Sequence, residues 1–217
     1  GSSRDITQRK VAEDALIESE RSKSVLLSNL PGMAYRCNYD RNWTMHFVSD
    51  GCYELTGYTS DSLLNNRDLS FNDLIAPEYR EALWSKWAQI LSKRQPFKFE
   101  YEITTATGER KWVLEMGQGI YNEDGGIEAL EGIILDISDR KEMENRLRYI
   151  NEHDNWTSLY NRDYLEALLI NDLKKKDGLK RAVISINLST VQLLTANYGF
   201  HYTQNLIKMA AETLCQY

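Results

Sequence analysis

From Phe97 to Thr104 apolar and polar side chains alternate without a break, in the order Phe97-Lys98-Phe99-Glu100-Tyr101-Glu102-Ile103-Thr104. A period of two sets Phe97, Phe99, Tyr101 and Ile103 on one face of an extended chain, so the stretch up to Thr105 predicts a half-buried antiparallel strand. Thr107-Gly108 predicts a turn, and Lys111 to Ile120 a second strand with Trp112, Leu114 and Met116 on one side, closing a hairpin. Asn122-Glu123-Asp124-Gly125-Gly126 predicts another turn and Ala129 to Leu135 a third strand. That strand feeds Asp136-Ile137-Ser138-Asp139-Arg140-Lys141, the start of a charged helical stretch.

Upstream, Met33 to Asn38 and Trp43 to Val48 are aromatic and branched runs separated by Tyr39-Asp40-Arg41-Asn42, which predicts a further hairpin. Between Asp50 and Asn72 the pattern shortens to helical and turn segments punctuated by Gly57. Pro77 then suits a first helical turn, and Leu83, Trp87 and Ile90, flanked by Trp84 and Leu91, make an apolar stripe at i, i+4 and i+7. A helix from Pro77 to about Lys93 is expected to cover one face of the sheet. The element order predicts an α+β fold around a five-stranded antiparallel sheet.

The 217 residues are enough for one or two domains with a real core. A formal charge of −6 argues against a general nucleic-acid binder, which needs an excess of Lys and Arg on one face. The cluster Lys174-Lys175-Lys176 with Lys180 and Arg181 reads as a solvated helix end. No apolar run approaches the ~20 residues that span a bilayer, and no signal peptide is recognisable, so a cytoplasmic chain without membrane contact is expected. Cys37, Cys52 and Cys215 are odd in number and widely spaced, which predicts buried reduced thiols rather than a disulfide framework. His46, His153 and His201 lack metal-ligand spacing, and no metal site is expected. Gly1-Ser2 reads as an expression scar and is left out of the fold reasoning. Asp5-Ile6-Thr7-Gln8-Arg9-Lys10 is echoed by Asp136-Ile137-Ser138-Asp139-Arg140-Lys141, an internal repeat of a domain-exit signal. The first copy is expected to begin a linker helix, from Ile6 to about Leu30, that follows a similar preceding domain.

Asn29-Leu30-Pro31-Gly32, Leu55-Thr56-Gly57-Tyr58, Gly108-Glu109-Arg110-Lys111-Trp112-Val113 and Gly132 to Lys141, in that order, resemble a PAS domain with its C-terminal PAC motif. The resemblance covers residues 24–141. It implies an N-terminal linker or signalling helix over 1–23 and a signalling helix over 142–153 that leads to an output segment over 154–217. In that segment His153-Asp154-Asn155-Trp156-Thr157-Ser158-Leu159-Tyr160-Asn161-Arg162 resembles the opening block of GGDEF domains, the diguanylate cyclase family, and Ile184 to Ile207 resembles its next block. The implied fold there is a partial α/β GGDEF-like segment. The family's first magnesium-binding aspartate aligns with Asn187, and its guanine-reading asparagine and aspartate align with Thr195 and Gln204. Gln192 stands at the usual lysine, and Phe200 at the histidine that follows Tyr198-Gly199. A neutral amide removes a full charge from a site that must hold a metal triphosphate, so the resemblance implies a kept scaffold and a lost catalytic site. The chain also stops at Tyr217, ahead of the hairpin that bears the family's signature, so half of that domain is expected to be absent.

For the PAS-like part, a haem would need an axial histidine, and Pro77 to Lys93 has none. His46, on an expected strand, reads as structural. A photoactive flavin would need a cysteine soon after Thr56-Gly57-Tyr58, where Asn65-Asn66-Arg67 stands instead. Haem and covalent flavin are therefore disfavoured, leaving a small organic ligand in the sheet-helix cavity or no ligand at all. Tyr35, Phe47, Trp87, Tyr101, Trp112 and Met116 are the candidate cavity residues, able to stack a planar ligand or simply to fill the core. Met143, Leu147 and Ile150, with Leu16, Leu26, Leu27 and Leu30 at the other end, set out stripes that fit a parallel coiled coil or packing on the chain's own sheet. The expected partners are thus a second copy and a downstream output domain. Three functions stay open. One is a sensory or dimerising module of a bacterial cyclic di-GMP signalling protein, non-catalytic in this chain, whose parent is a phosphodiesterase with an EAL domain or a cyclase. The others are the front half of an active diguanylate cyclase and a PAS interaction domain without ligand.

Overall fold

Two units, Gly1–Lys141 and Glu142–Tyr217, make up the chain. The computed structural model describes residues 30–175 and 190–214, together with Lys10, Glu18, Arg21 and Val25. Most of the expected linker helix, Leu16, Leu26, Leu27, Lys180, Arg181, the expected strand Ala182 to Leu188 with Asn187, and Cys215 lie outside the described residues.

In the first unit, strands β1 (Gly32–Cys37), β2 (Met45–Val48), β3 (Phe97–Thr104), β4 (Arg110–Tyr121) and β5 (Ile127–Asp136) form the expected five-stranded antiparallel sheet, in the order β2-β1-β5-β4-β3. The turn before β2 is set by Asp40, whose carboxylate accepts the N–H of Asn42 at 3.0 Å and of Thr44 at 3.1 Å. Trp43 sits in that turn at φ 53°, so the expected second run starts later, with β2 beginning at Met45. Between β2 and β3 come α1 (Cys52–Thr56), α2 (Ser60–Leu63), α3 (Phe71–Leu74) and α4 (Pro77–Ser92). Asp73 begins α3 by accepting from both the backbone N–H (2.9 Å) and the hydroxyl (2.7 Å) of Ser70, bonds that hold its carboxyl below the usual range.

Helix α4 begins on Pro77 and buries Leu83, Trp87 and Leu91, one residue per turn on the face turned to the sheet. Trp87 lies parallel to Phe97, with ring centroids 4.0 Å apart. The core lies between this helix, the short helices and one face of the sheet, built on Met33, Tyr35, Met45, Leu63, Ile75, Tyr101, Ile103, Val113 and Ile134. Beside β3, one of the two edge strands, Ile75 bridges Ile103 and the Ala76 N–H bonds Glu102 O at 2.9 Å.

β5 passes directly into α5 (Ser138–Glu152). The passage is fastened at its foot. Asp136 accepts the Ser138 N–H at 2.9 Å and pairs with Lys111 at 3.2 Å, while the Ser138 hydroxyl accepts the Trp112 N–H at 3.1 Å. Burial alone would raise the Asp136 carboxyl, but the Ser138 and Lys111 bonds hold it lower than usual. Arg140 and Lys141 each reach one oxygen of Glu100 at 2.7 Å, and the Lys141 ammonium stands 4.9 Å from the Trp112 ring centre.

The second unit carries α5 onward and adds α6 (Arg162–Lys174), α7 (Val191–Tyr198) and α8 (Phe200–Leu214). Asp154 closes a turn ahead of α6 by accepting from the Thr157 N–H, the Thr157 hydroxyl and the Trp156 N–H, and Asn161 caps α6 on the Tyr164 N–H. Gly199, at φ 85°, separates α7 from α8, and Thr203 and Ala211 are buried there. Thr195 Oγ1 is 2.9 Å from Val191 O and 3.2 Å from Thr203 Oγ1, and Gln204 is half-buried on α8.

Candidate functional site

Strand β4 turns Val113, Glu115, Gly117 and Gly119 toward α4 and the core, and Trp112, Leu114, Met116 and Gln118 the other way. A carboxyl group therefore enters the apolar interior at Glu115, which is 5 % exposed. Tyr35 of β1 donates its hydroxyl to Glu115 Oε1 at 2.5 Å, and Tyr101 of β3 donates to Oε2 at 3.0 Å. The Trp87 side chain of α4 hydrogen-bonds the same carboxyl. Four elements thus meet on one side chain.

Two glycines make room for this arrangement. Gly117 of β4 pairs with Gly132 of β5, and Gly132 in turn pairs with Tyr35. A Cβ on Gly117 would stand 2.9 Å from Tyr35 Oη and 3.1 Å from the Trp87 ring, and one on Gly132 would stand 3.0 Å from the Tyr35 ring. The aromatic rings occupy the space that side chains on a sheet normally fill.

Burial pushes the Glu115 carboxyl up, and the three donors pull it back, leaving it at about 7. Burial and then the neighbouring Glu115 charge push the Tyr35 and Tyr101 phenols well above their ordinary value. The Cys37 thiol is also raised, chiefly by burial and then by Glu115. No lysine, arginine or histidine acts on Glu115 among the described residues. The remaining space beside it, walled by Cys37, Trp43, Met45, Phe71, Leu83 and Ile134, is about 10 Å³, no more than one water requires.

The six candidate cavity residues divide between the two faces of the sheet. Tyr35, Trp87 and Tyr101 converge on Glu115. Phe47 pairs in register with Arg36 and is 45 % exposed, and together with Met116 it lines a groove of about 730 Å³ on the outer face with Ala34, Lys98 and Ile133. Trp112, also outward, meets Tyr79 edge-on at 5.9 Å and Lys141 at the foot of α5. The inward placement expected for Phe47, Trp112 and Met116 is corrected by the parity of β4 and by the partner of Phe47 on β1. His46 points outward and bonds the Asn38 side chain at 2.7 Å. Sequence reasoning missed Glu115 because a glutamate between Leu114 and Met116 reads as the solvent side of a strand. Gly117, Gly119 and Gly132 were the available signal, since glycines inside strands mark a close approach.

Residues 45–134 match the family model of the PAS fold. The matched span contains Glu115, Tyr101 and Trp87, while Tyr35 precedes it. An uncharacterized protein of Sinorhizobium fredii is 28% identical over 223 residues, covering 99% of this chain and 26% of that protein. A methyl sulfide methyltransferase-associated sensor of Methanosarcina acetivorans is 28% identical over 144 residues, covering 64% of this chain and 14% of the sensor. The chain therefore spans about a quarter or less of the length of these two curated relatives. Among solved structures, a sensory box histidine kinase/response regulator from Burkholderia thailandensis is similar, with 24% identity, a TM-score of 0.48, and coverage of 57% of this chain and 90% of that one. No helix among the described residues is long and apolar enough to cross a membrane.

Proposed function

We propose that this chain is a sensory or dimerising module of a bacterial cyclic di-GMP signalling protein, acting in the cytoplasm and making no bonds itself. Its working parts are a linker helix over 1–23, the PAS unit over 24–141, a signalling helix over 142–153 and a degenerate GGDEF-like segment over 154–217. The observation that carries the reading is the fastening of β5 to α5. Glu100 and Trp112 on the outer side of the sheet and Lys111 on the other hold Asp136, Ser138, Arg140 and Lys141, so a shift in β3 or β4 moves the foot of the helix. Met143, Leu147 and Ile150 are 62 %, 56 % and 44 % exposed along α5, a stripe that suits pairing with a second copy. The cyclic di-GMP assignment rests on the sequence resemblance of residues 153–207, in which Asn187, Thr195 and Gln204 replace metal- and guanine-binding residues.

A second reading, a PAS interaction domain without ligand, is favoured by the filled core: about 10 Å³ beside Glu115 has no room for an organic molecule. Mass spectrometry under non-denaturing conditions on natively purified protein separates the two, a retained small molecule supporting ligand sensing and a mass equal to the chain supporting interaction. The relay is tested in the full-length parent protein. Glu100→Lys, which repels Arg140 and Lys141, is expected to change output while leaving the PAS unit folded; unchanged output refutes the relay. Micromolar binding of GTP with magnesium, measured by calorimetry, would instead restore the cyclase reading.

A further inference from the structure

Glu115 has two features that space filling alone does not require. It carries a titratable group into the centre of an apolar core, and each of its oxygens meets a donor from a different strand. The groups facing it are the Tyr35 phenol and Cys37 thiol of β1, the Tyr101 phenol of β3 and the Trp87 indole of α4. Among the described residues, the other walls near it are Trp43 of the turn before β2 and Met45, Phe71, Leu83 and Ile134 of β2, α3, α4 and β5, none of them ionisable. With no cation among the described residues to fix the charge, the carboxyl's state depends on a balance between burial, which favours the acid, and three hydrogen bonds, which favour the anion.

The two states need different hydrogen bonding. As an anion, Glu115 accepts from Tyr35, Tyr101 and Trp87. When one proton adds to a carboxylate oxygen, the new O–H needs an acceptor, and the phenol oxygens beside it are the groups able to serve. One tyrosine then turns from donor to acceptor. Because those donors are the ties from β1, β3 and α4 to β4, the exchange alters how four elements hold one another. Three residues away on β4, Trp112 takes the Ile137 N–H on its carbonyl at 2.9 Å and gives its own N–H to Ser138, at the entry to α5.

We propose that Glu115, with Tyr35, Tyr101 and Trp87, is a proton-operated switch in which uptake or release of one proton at the carboxyl re-sorts these ties and is transmitted along β4 to α5. This rests on the sensory reading above and names its signal: a change in proton activity, needing no organic ligand in the core. The carboxyl's position at about 7 places the exchange near neutrality.

The test is an infrared titration of the whole chain from about pH 5 to about pH 9, following the C=O stretch of a protonated carboxylic acid. The wild type is expected to lose one such band near neutrality and Glu115→Gln to lack it. Tyr101→Phe and Tyr35→Phe each remove a donor to the anion and are expected to move the midpoint up by about one unit. Those two variants carry the test even where Glu115→Gln fails to fold. A second arm follows amide hydrogen exchange in β4 and the first turn of α5 at the two ends of the titration. Exchange, corrected for its intrinsic pH dependence, is expected to differ in the wild type and to be flat in Glu115→Gln. Absence of the titrating band, or a midpoint unmoved in both Phe variants, overturns the proton chemistry. A band that titrates with flat exchange in the wild type overturns its transmission to α5. An unchanged output in the Glu100→Lys parent, with both arms positive, leaves the switch standing and removes the sensory reading.

Discussion

Replacing Glu115 by glutamine should abolish a specific pH dependence of stability, with a magnitude that follows from its burial. The carboxyl moves from 4.5 in the unfolded chain to about 7 in the folded one. The native state therefore holds this proton more tightly than the unfolded chain does. The stability it contributes is full below about pH 4.5 and is lost as pH rises through about 7, the reverse of an ion-paired aspartate. A displacement of roughly 2.5 units corresponds to about 3 kcal/mol, of which about 2 kcal/mol is lost between about pH 5.5 and about pH 8.5. The carboxylates held below their usual range, including Asp73, Glu100 and Asp136, titrate on the acid side of that window. Urea unfolding followed through the buried Trp43 and Trp87 reads the change. With a slope of about 1.5 kcal/mol per molar, the wild-type midpoint should fall by about 1 M over the window, and that of Glu115→Gln should hold steady. The slope with pH is the diagnostic, because the amide also sets an N–H₂ against a phenol donor and shifts stability by a pH-independent amount. An equal fall in both proteins would refute the argument and assign the dependence to another group.

Gly117→Ala places a methyl against Tyr35 Oη, the Trp87 ring and the Glu131 carbonyl, and is expected to cost about 1–3 kcal/mol, read as a lowered urea midpoint at unchanged slope. Trp87→Ala removes the ring stacked on Phe97 together with a partner of Glu115, and should cost about 3–5 kcal/mol by the same measurement. Cys37 and Cys52 are buried with thiols raised chiefly by desolvation, so both should resist alkylation under native conditions and react fully in urea, as counted by mass spectrometry.

The strand-helix order was legible because its strongest signals are local. The unbroken alternation from Phe97 to Thr104 and the stripe through Leu83 and Trp87 each specify one face, and both faces lie against the core. β4 was harder for a physical reason. Trp112, Leu114 and Met116 are apolar, yet the outer surface they occupy is itself partly covered and apolar, so alternation alone does not say which side is in. The inner row of Val113, Glu115, Gly117 and Gly119 looks exposed on paper, because its glutamate is satisfied by two tyrosines distant in sequence and its glycines yield their space to rings from β1 and α4. Tyr35, Trp87 and Tyr101 could be read as interior residues; what they surround could not.

At one side of the sheet, β3 would offer its backbone to any neighbouring chain if it were bare along its length. The Ile75 bridge and the Ala76 bond occupy its far end, and Lys98, Glu100 and Glu102 charge the rest of its outward row. A second molecule trying to extend the sheet would find a short ladder bordered by fixed charges of both signs. Crowding should therefore bring copies together through side chains before it zips them edge to edge, and concentrated solutions of the folded protein are expected to stay free of fibrils.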